Sequence, residues 1–323
     1  WKEALDVGDD EIKVLLEEYC LSCESYKTST SFFEEGEEKY DEENFQDAID
    51  SYTKAIEINP SVEAYFNRGI AKSDLEDHSG AIEDYSKAIE INSINAKLYF
   101  NRALSKDSIS DYEGSINDLN KSIELNPNDA EAFNIRGLTK YNDVDDWDGA
   151  VEDFKKAIEI DPTFARAFYN LGDIVYDLAD NADNDETKYM EEAIEYFTKA
   201  LELDPTIEEA YRFREWSFRR IGRHQEAIND CNKLIEIDSE NGEAYQELGL
   251  NQKELKEFDS AIKNLTKSIE LLEGDEDEIA SSYLMRGEAK KELGDLKGAC
   301  EDWKKAAELG DHDAAILLVE HCE

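Results

Sequence analysis

Proline, methionine, histidine and basic residues are all scarce in this chain of 323 residues. There are four prolines, two methionines and four histidines, and 80 aspartates and glutamates outnumber 35 lysines and arginines, giving a net charge of −45. Nucleic-acid binding needs clustered basic residues, and an anionic membrane surface repels an acidic chain, so we expect neither partner. The longest apolar run, Ala314 to Val319, is far too short to cross a bilayer.

Cysteine is also sparse: five residues, an odd number with irregular spacing, do not form a disulfide framework. A reducing, cytoplasmic compartment is the simplest expectation. Because the chain begins with Trp1 rather than methionine, we also expect that something upstream was removed or left out. Cys20 and Cys23 share one helical face, but a zinc site needs two more ligands, and none is near them in sequence, so packing is the alternative role.

No pattern indicates catalysis. The histidines are scattered, and no glycine-rich phosphate loop is present. Asn181, Asp183 and Asp185, followed by Glu192, have the spacing of a calcium loop, but Glu186 stands where such loops carry glycine. We therefore expect no enzyme activity, no cofactor and no metal site.

What the chain does have is a repeat of about 34 residues. The stretch AYFNRG at 64–69 recurs as LYFNRA at 98–103 and as AFNIRG at 132–137. A period of this size indicates a small unit that cannot bury its own apolar face and must stack on copies of itself. Such an array presents surfaces rather than a deep catalytic cavity.

Each repeat contains two segments with apolar residues at helical spacing. The first carries an aromatic residue with a small residue four positions later, the second reads Ala-x3-aromatic-x2-Ala, and a proline follows the second segment in four repeats. This pattern resembles the tetratricopeptide repeat (TPR) family. The resemblance implies an all-α fold, a right-handed α-solenoid superhelix of about eight tandem helix–turn–helix repeats with helical caps.

We assign an N-terminal cap to 1–28, repeats to 29–61, 62–95, 96–129, 130–164, 165–207, 208–241, 242–279 and 280–313, and a C-terminal cap to 314–323. Three repeats exceed the basic period, mainly between Leu178 and Ala193 and near Gly274. We expect these extra residues to lie in turns, where added length costs little.

Five repeats carry an arginine in the first segment and an aspartate in the second, at a constant offset. These predicted pairs are Arg68 with Asp84, Arg102 with Asp118, Arg136 with Asp153, Arg214 with Asp230, and Arg286 with Asp302. The three repeats without the arginine also lack the aspartate. This covariation predicts an ion pair between the two helices of a repeat, where a lone charge would be costly. Half of the ten arginines are therefore expected to be structural.

In a TPR superhelix the first helices line a concave groove, so the resemblance places a basic and aromatic hot spot in repeats five and six. The candidate residues for peptide binding are Arg166, Tyr169, Arg212, Phe213, Trp216, Arg219 and Arg220, with Asn67, Asn101 and Asn170 at a recurring groove position. Arginine and tryptophan dominate interface hot spots. The alternatives are that acidic residues of the fifth repeat, such as Asp177 and Asp183, neutralise the arginines, and that the asparagines bond within their own array.

The leading hypothesis is a non-catalytic scaffold that binds a peptide or helix of a protein partner, with an acidic or phosphorylated ligand as one candidate. Two alternatives remain open. The array could be a structural spacer or oligomerisation segment of a larger polypeptide, or the acidic inserts could make it a cation-binding surface protein. The sequence does not define the oligomeric state.

Overall fold

The computed structural model describes residues 28–180, 185–272 and 274–322, and all regular elements in these ranges are α-helices. The predicted helix at 10–26, the Cys20–Cys23 pair and the residues Asn181 and Asp183 lie outside the described part. The chain divides into two compact units, one ending at Ile160 and one beginning at Asp161.

The first unit is a run of antiparallel helix pairs joined by short turns. Its helices are α1 (28–41), α2 (Phe45–Ile58), α3 (Val62–Asp74), α4 (His78–Ile91), α5 (Ala96–Ser108), α6 (Tyr112–Leu125), α7 (Ala130–Asp143) and α8 (Trp147–Ile160).

The second unit continues the same alternation and ends with a single additional helix. Its helices are α9 (Ala165–Asp180), α10 (Glu186–Leu203), α11 (Glu208–Arg220), α12 (His224–Ile237), α13 (Gly242–Glu254), α14 (Phe258–Leu271), α15 (Glu276–Glu292), α16 (Leu296–Glu308) and α17 (His312–His321).

Local sequence signals explain where the helices begin and end. The side chain of Asp77 caps α4 by accepting from the backbone N–H of Gly80 at 3.0 Å, and Asp111 caps α6 in the same way. Such caps satisfy backbone donors that have no partner within the helix. The prolines act as predicted: α2 ends at Ile58, one residue before Asn59-Pro60, because the residue preceding proline avoids the helical conformation.

Small residues let the two helices of a pair approach closely around a buried ring. A Cβ atom added to Gly69 would lie 2.6 Å from the ring of Tyr85, and one added to Gly137 would lie 2.7 Å from Phe154. Tyr85 and Phe154 are at most 1% exposed. Each ring thus occupies the volume that glycine leaves free, which explains the aromatic and small residues of the repeat.

The expectation that extra residues lie in turns is wrong for most of them. Helix α10 has 18 residues and α15 has 17, against 13 or 14 in most other helices. The first turn of α15 carries Glu276, Asp277 and Glu278, whose negative charges are favourable at a helix N-terminus. Extra residues that form helix also satisfy their own backbone hydrogen bonds.

The cysteine prediction also needs correction, because Cys300 and Cys322 form a disulfide. Helix α17 folds back over α16 and brings the two Cα atoms to 5.8 Å, a proximity that irregular spacing in sequence could not reveal. Cys231 is free and buried. The cysteines therefore give no support to the expected reducing compartment. Helix α17, which begins at His312 and ends at His321, covers the fully buried Trp303 of α16.

Candidate functional site

The five arginines and five aspartates of the repeat are paired in the structure as they are in the sequence. Each guanidinium donates from Nε and Nη2 to the two carboxylate oxygens of its aspartate. The five aspartates are only 2–5% exposed. Two parallel charge-assisted bonds of this kind are among the strongest polar contacts in proteins.

Each of these arginines also contacts the second helix of the preceding pair. Its Nη1 atom donates to a side-chain oxygen, which is Thr53 for Arg68, Ser86 for Arg102, Asn120 for Arg136, Thr198 for Arg214 and Thr266 for Arg286. One guanidinium thus joins three helices. These arginines are committed to the fold and are not available to a ligand.

The sequence analysis missed a lysine that lies four residues after the arginine in four of the five pairs. Lys72, Lys106, Lys140 and Lys290 each place Nζ 2.7–2.8 Å from the paired aspartate. Four residues after Arg214 the chain has Phe218 instead of lysine. Asp230 therefore has the Arg214 guanidinium but no lysine beside it. Burial raises the pKa of Asp230 although Arg214 acts in the opposite direction. The recurring Arg-x3-Lys spacing was the signal that could have identified these lysines.

A continuous aromatic patch lies on the first helices of the second unit. It consists of Tyr169 and Tyr176 on α9 with Phe213 and Trp216 on α11, all half-buried. The centroid of the Phe213 ring lies 5.2–6.2 Å from those of the other three rings, and the fully buried Phe197 stacks beneath it. Three of the predicted binding residues, Tyr169, Phe213 and Trp216, are thus brought into contact.

The arginines predicted as ligand anchors flank this patch, and each lies near a glutamate. Arg220 forms an ion pair with Glu186 of α10 at 2.6 Å, so one residue of the acidic insert neutralises this arginine. Arg166 lies 3.9 Å from Glu209, and Arg212 lies 3.9 Å from Glu243. These two contacts are long and exposed, and contacts of this kind contribute little to stability.

Acidic groups also adjoin the patch. Burial and the neighbouring Asp177 raise the pKa of Asp173 on α9 to about 7. Burial likewise raises the pKa of the Tyr169 hydroxyl, with the negative charges of Asp173 and Glu209 acting in the same direction. The patch is therefore an apolar surface set among negative groups, with Arg166 and Arg212 partly exposed at its edge.

Beside Trp216 is a pocket of about 350 Å³, which we call the Trp216 pocket. Its lining includes Arg212, Glu215, Trp216, Gln246, Glu247 and Glu278. Glu215 is 1% exposed, and its Oε1 accepts a 2.6 Å hydrogen bond from the amide of Asn251. The imidazole of His224 in turn contacts the Asn251 side-chain oxygen at 2.9 Å.

Two of the carboxyl groups that line the Trp216 pocket, Glu215 and Glu247, lack some of their hydrogen bonds. Oε2 of Glu215 and Oε2 of Glu247 are buried and have no hydrogen-bond partner, although the indole N–H of Trp216 donates to Glu247. Arg219 Nε lies 3.4 Å from Glu247 and 3.7 Å from Glu215 without forming a hydrogen bond. Burial, reinforced by the charge of Glu247, raises the pKa of Glu215 to about 8.

Glu215 is a site residue that the sequence analysis overlooked. In every other repeat its position holds glycine or alanine, namely Gly36, Gly69, Ala103, Gly137, Gly172, Gly249 and Gly287. The residue opposite is large elsewhere, such as Tyr85 or Phe154, but here it is Cys231. The Glu215 carboxyl group therefore stands at a position where the other pairs combine a small residue with a ring or a leucine. Aligning the repeats position by position would have identified it.

The three predicted groove asparagines differ in accessibility. Asn67 hydrogen-bonds the Tyr52 hydroxyl and lines a pocket of about 380 Å³ in the first unit. Asn101 is half-buried, and its amide donates to the Lys97 carbonyl at 2.9 Å. Asn170 is 6% exposed and its side chain is engaged. The side chains of all three asparagines therefore interact within the array, as the alternative for these residues expected.

Neither a metal site nor a membrane span is found in the part of the chain that the structure describes. No cluster of three or more histidine, cysteine, aspartate or glutamate side chains has an arrangement suited to a metal ion there. None of the described helices combines the length and apolar character that crossing a bilayer requires.

Paired helices with a repeated seam and a patch of half-buried rings define an α-helical repeat protein. Family models described as "TPR repeat" and "Tetratricopeptide repeat" match residues 140–178, and residues 62–95, 96–129, 184–207 and 242–271, respectively. The chain belongs to the tetratricopeptide repeat family, whose members generally mediate protein–protein interactions.

Several solved structures are similar to this chain. MamA is 28% identical over 55% of this chain and 93% of its own, with a TM-score of 0.48. YrrB, described as "a TPR protein with an unusual peptide-binding site", is 23% identical over 65% of this chain and 99% of its own, with a TM-score of 0.52. A TPR protein from Parabacteroides merdae is 18% identical over 92% of this chain and 100% of its own, also at 0.52. The last two likenesses show the fold alone. No curated protein matches the chain in sequence.

Proposed function

We propose that this protein is a non-catalytic interaction scaffold that binds an extended peptide or a helix of a protein partner on the aromatic patch of the second unit. The observation that carries the proposal is the contact of four half-buried rings on α9 and α11, next to the Trp216 pocket. Aromatic side chains offer a large contact area for little loss of rotamer freedom, and tyrosine and tryptophan are the commonest interface anchors. YrrB, which has the same fold, is described as a peptide-binding TPR protein.

The anchors of such a ligand would be apolar groups placed against Phe213 and Trp216. An acidic or phosphorylated group could in principle pair with the flanking arginines. To do so it would have to displace Glu209 from Arg166 and Glu243 from Arg212, and it would approach a chain with a net charge of −45. An apolar or basic peptide fits the patch better than an acidic one.

The proposal is tested by selecting peptides from a random display library on the immobilised chain, then measuring their Kd by fluorescence anisotropy. Trp216→Ala should raise the Kd of the selected peptides about 30-fold, because losing a hot-spot residue costs about 2 kcal/mol of binding free energy. Trp147→Ala is the matched control, because Trp147 packs on Tyr141 in the first unit. Equal affinity for the wild type and Trp216→Ala would contradict binding at the patch.

The spacer alternative predicts a different outcome. A structural or oligomerisation segment would select no peptide dependent on Trp216, and sedimentation of the chain alone would reveal a stable dimer. Selected peptides rich in glutamate or phosphoserine, and weakened by Arg212→Glu, would instead support an acidic ligand.

A further inference from the structure

The Trp216 pocket contains an unusual deviation from the repeat. Seven repeats have glycine or alanine at the position of Glu215. The sixth repeat instead has this glutamate, which is 1% exposed. Burying a carboxyl group without full hydrogen bonding is costly. The repeat already contains a stable solution for this position, glycine or alanine beside a large apolar residue. The departure therefore opposes stability and calls for another physical role.

The pocket has unused acceptors and few unused donors. Glu215 and Glu247 each make one interaction within the protein, through the Asn251 amide and the Trp216 indole respectively, and one buried oxygen of each lacks a hydrogen bond. Arg219 Nε is the one donor near both glutamates among the buried side-chain atoms of the described chain that lack a hydrogen bond, and it lies 3.4 Å from Glu247 Oε2 and 3.7 Å from Glu215 Oε1. A ligand that brings several donors on one atom would supply hydrogen bonds that this ion contact does not.

The charges around the pocket favour a cation. Glu243, Glu247 and Glu278 line it with Glu215, so four carboxyl groups face two guanidinium groups. These are the lining Arg212, which lies 3.9 Å from Glu243, and the adjoining Arg219, whose Nε lies 3.4 Å from Glu247. Trp216 also lines the pocket, and an indole ring attracts a cation placed over its face. The volume of about 350 Å³ lies within the range of small-ligand sites and is ample for one long side chain.

We propose that the Trp216 pocket binds the ammonium group of a lysine side chain from the bound peptide, held by the carboxyl groups of Glu215 and Glu247 and by the indole of Trp216. A lysine ammonium carries three donors on one atom, which suits two carboxyl groups that each lack a hydrogen bond at one oxygen. The inference deepens the proposed function and rests on it, since it identifies which residue of the peptide enters the pocket next to the aromatic patch.

The test uses a single amino acid, so that it does not depend on finding the peptide. The full chain is titrated with N-acetyl-lysine N-methylamide while the indole ¹⁵N–¹H signal of Trp216, assigned with Trp216→Phe, is followed by NMR. Matched titrations use the norleucine analogue, which lacks the charge, the glutamate analogue, and cadaverine as a free diamine. The lysine analogue should shift the signal in a saturable manner, at least tenfold more tightly than the norleucine analogue.

Three variants separate the pocket from general attraction to an acidic protein. Glu215→Gln should weaken binding of the lysine analogue at least tenfold. Glu202 is an exposed glutamate on α10, and Glu202→Gln should leave the affinity unchanged. A double substitution, Glu215→Ala with Cys231→Leu, reproduces the Ala103 and Leu119 combination of another repeat. It is expected to fold well and to lose the binding, so that loss of binding is not confused with loss of folding.

The inference is overturned if the norleucine analogue binds as tightly as lysine, if the glutamate analogue binds more tightly, or if Glu215→Gln has no effect. Tighter binding of cadaverine would assign the pocket to a free diamine and overturn the peptide source. Selected peptides that need Trp216 but contain no lysine would leave the proposed function standing and remove this inference. Lysine binding without any selected peptide would leave an ammonium site in the pocket but remove both the proposed function and the peptide as the source of the lysine.

Discussion

Arg214 offers the sharpest test of the ion pair that recurs in the repeat. Its partner Asp230 is 3% exposed and accepts two hydrogen bonds from the guanidinium, at 2.9 and 2.7 Å. Phe218 stands where the other pairs supply a lysine, so Arg214→Leu leaves the carboxyl buried without an opposite charge. Removing one partner of a buried pair costs about 3–5 kcal/mol. We expect a loss of this size in the stability of the α11–α12 pair.

The matched control is Arg136→Leu, where Lys140 remains 2.8 Å from Asp153 and still neutralises it. The loss there should be close to that of the charge-assisted hydrogen bonds, about 1.5–3 kcal/mol. Adding Asp230→Tyr to Arg214→Leu recreates the Leu171 and Tyr196 combination found in α9 and α10, and should recover much of the stability.

The stability of each helix pair is best measured by native-state hydrogen exchange with mass spectrometry, because repeat arrays do not always unfold in a single transition. Protection should fall most in α11 and α12 for Arg214→Leu, and less in α7 and α8 for Arg136→Leu. Equal losses for the two variants, or strictly additive effects of Arg214→Leu and Asp230→Tyr, would refute the reasoning.

Three further perturbations follow from the structure. The pKa of Glu215 is about 8 in the folded chain and lies near 4.5 when unfolded, so the folded state binds the extra proton and stability should fall as pH rises from 5 to 8. The free energy of unfolding should be measured by urea denaturation at several pH values. Glu215→Gln should reduce its slope against pH by about 1 kcal/mol or more per pH unit near the middle of this pH range. Cys322→Ser should raise amide exchange in α17, because closing a loop of this length stabilises by about 3 kcal/mol. Dithiothreitol should have the same effect on the wild type and no further effect on the variant. Gly137→Ala should cost about 1–3 kcal/mol in thermal unfolding because its Cβ meets the Phe154 ring, and adding Phe154→Leu should relieve it.

Most of the fold could be predicted from the sequence because the same local rules recur. Helical spacing, proline two residues after a helix and the Arg–Asp covariation all act within one repeat, so each repeat is an independent copy of the argument. The disulfide could not be predicted in this way, since it depends on how α17 folds over α16. The extra residues in α10 and α15 were misassigned because length alone does not distinguish a longer helix from a longer turn.

The aromatic patch was predictable for a similar reason. Tyr169, Phe213 and Trp216 occupy positions that share a face of the first helix, and only the stacking of neighbouring helices was needed to join them. The partners of the arginines were harder to foresee, because Glu243 and Glu247 come from the next first helix along the chain. A neutralising residue was expected in the acidic insert, and among the described residues Glu186 of that insert pairs with Arg220.

Helix α11 departs from the repeat more than once, and the departures share a direction. It lacks the lysine that supports the aspartate elsewhere, and it carries Glu215 at a position otherwise held by glycine or alanine. Both changes remove stabilising features from the seam, and the same helix presents Phe213 and Trp216 on its other face. Proteins violate local folding rules chiefly where binding or catalysis requires it. Because the other seven repeats keep glycine or alanine at the position of Glu215, we place the proposed ligand site at α11.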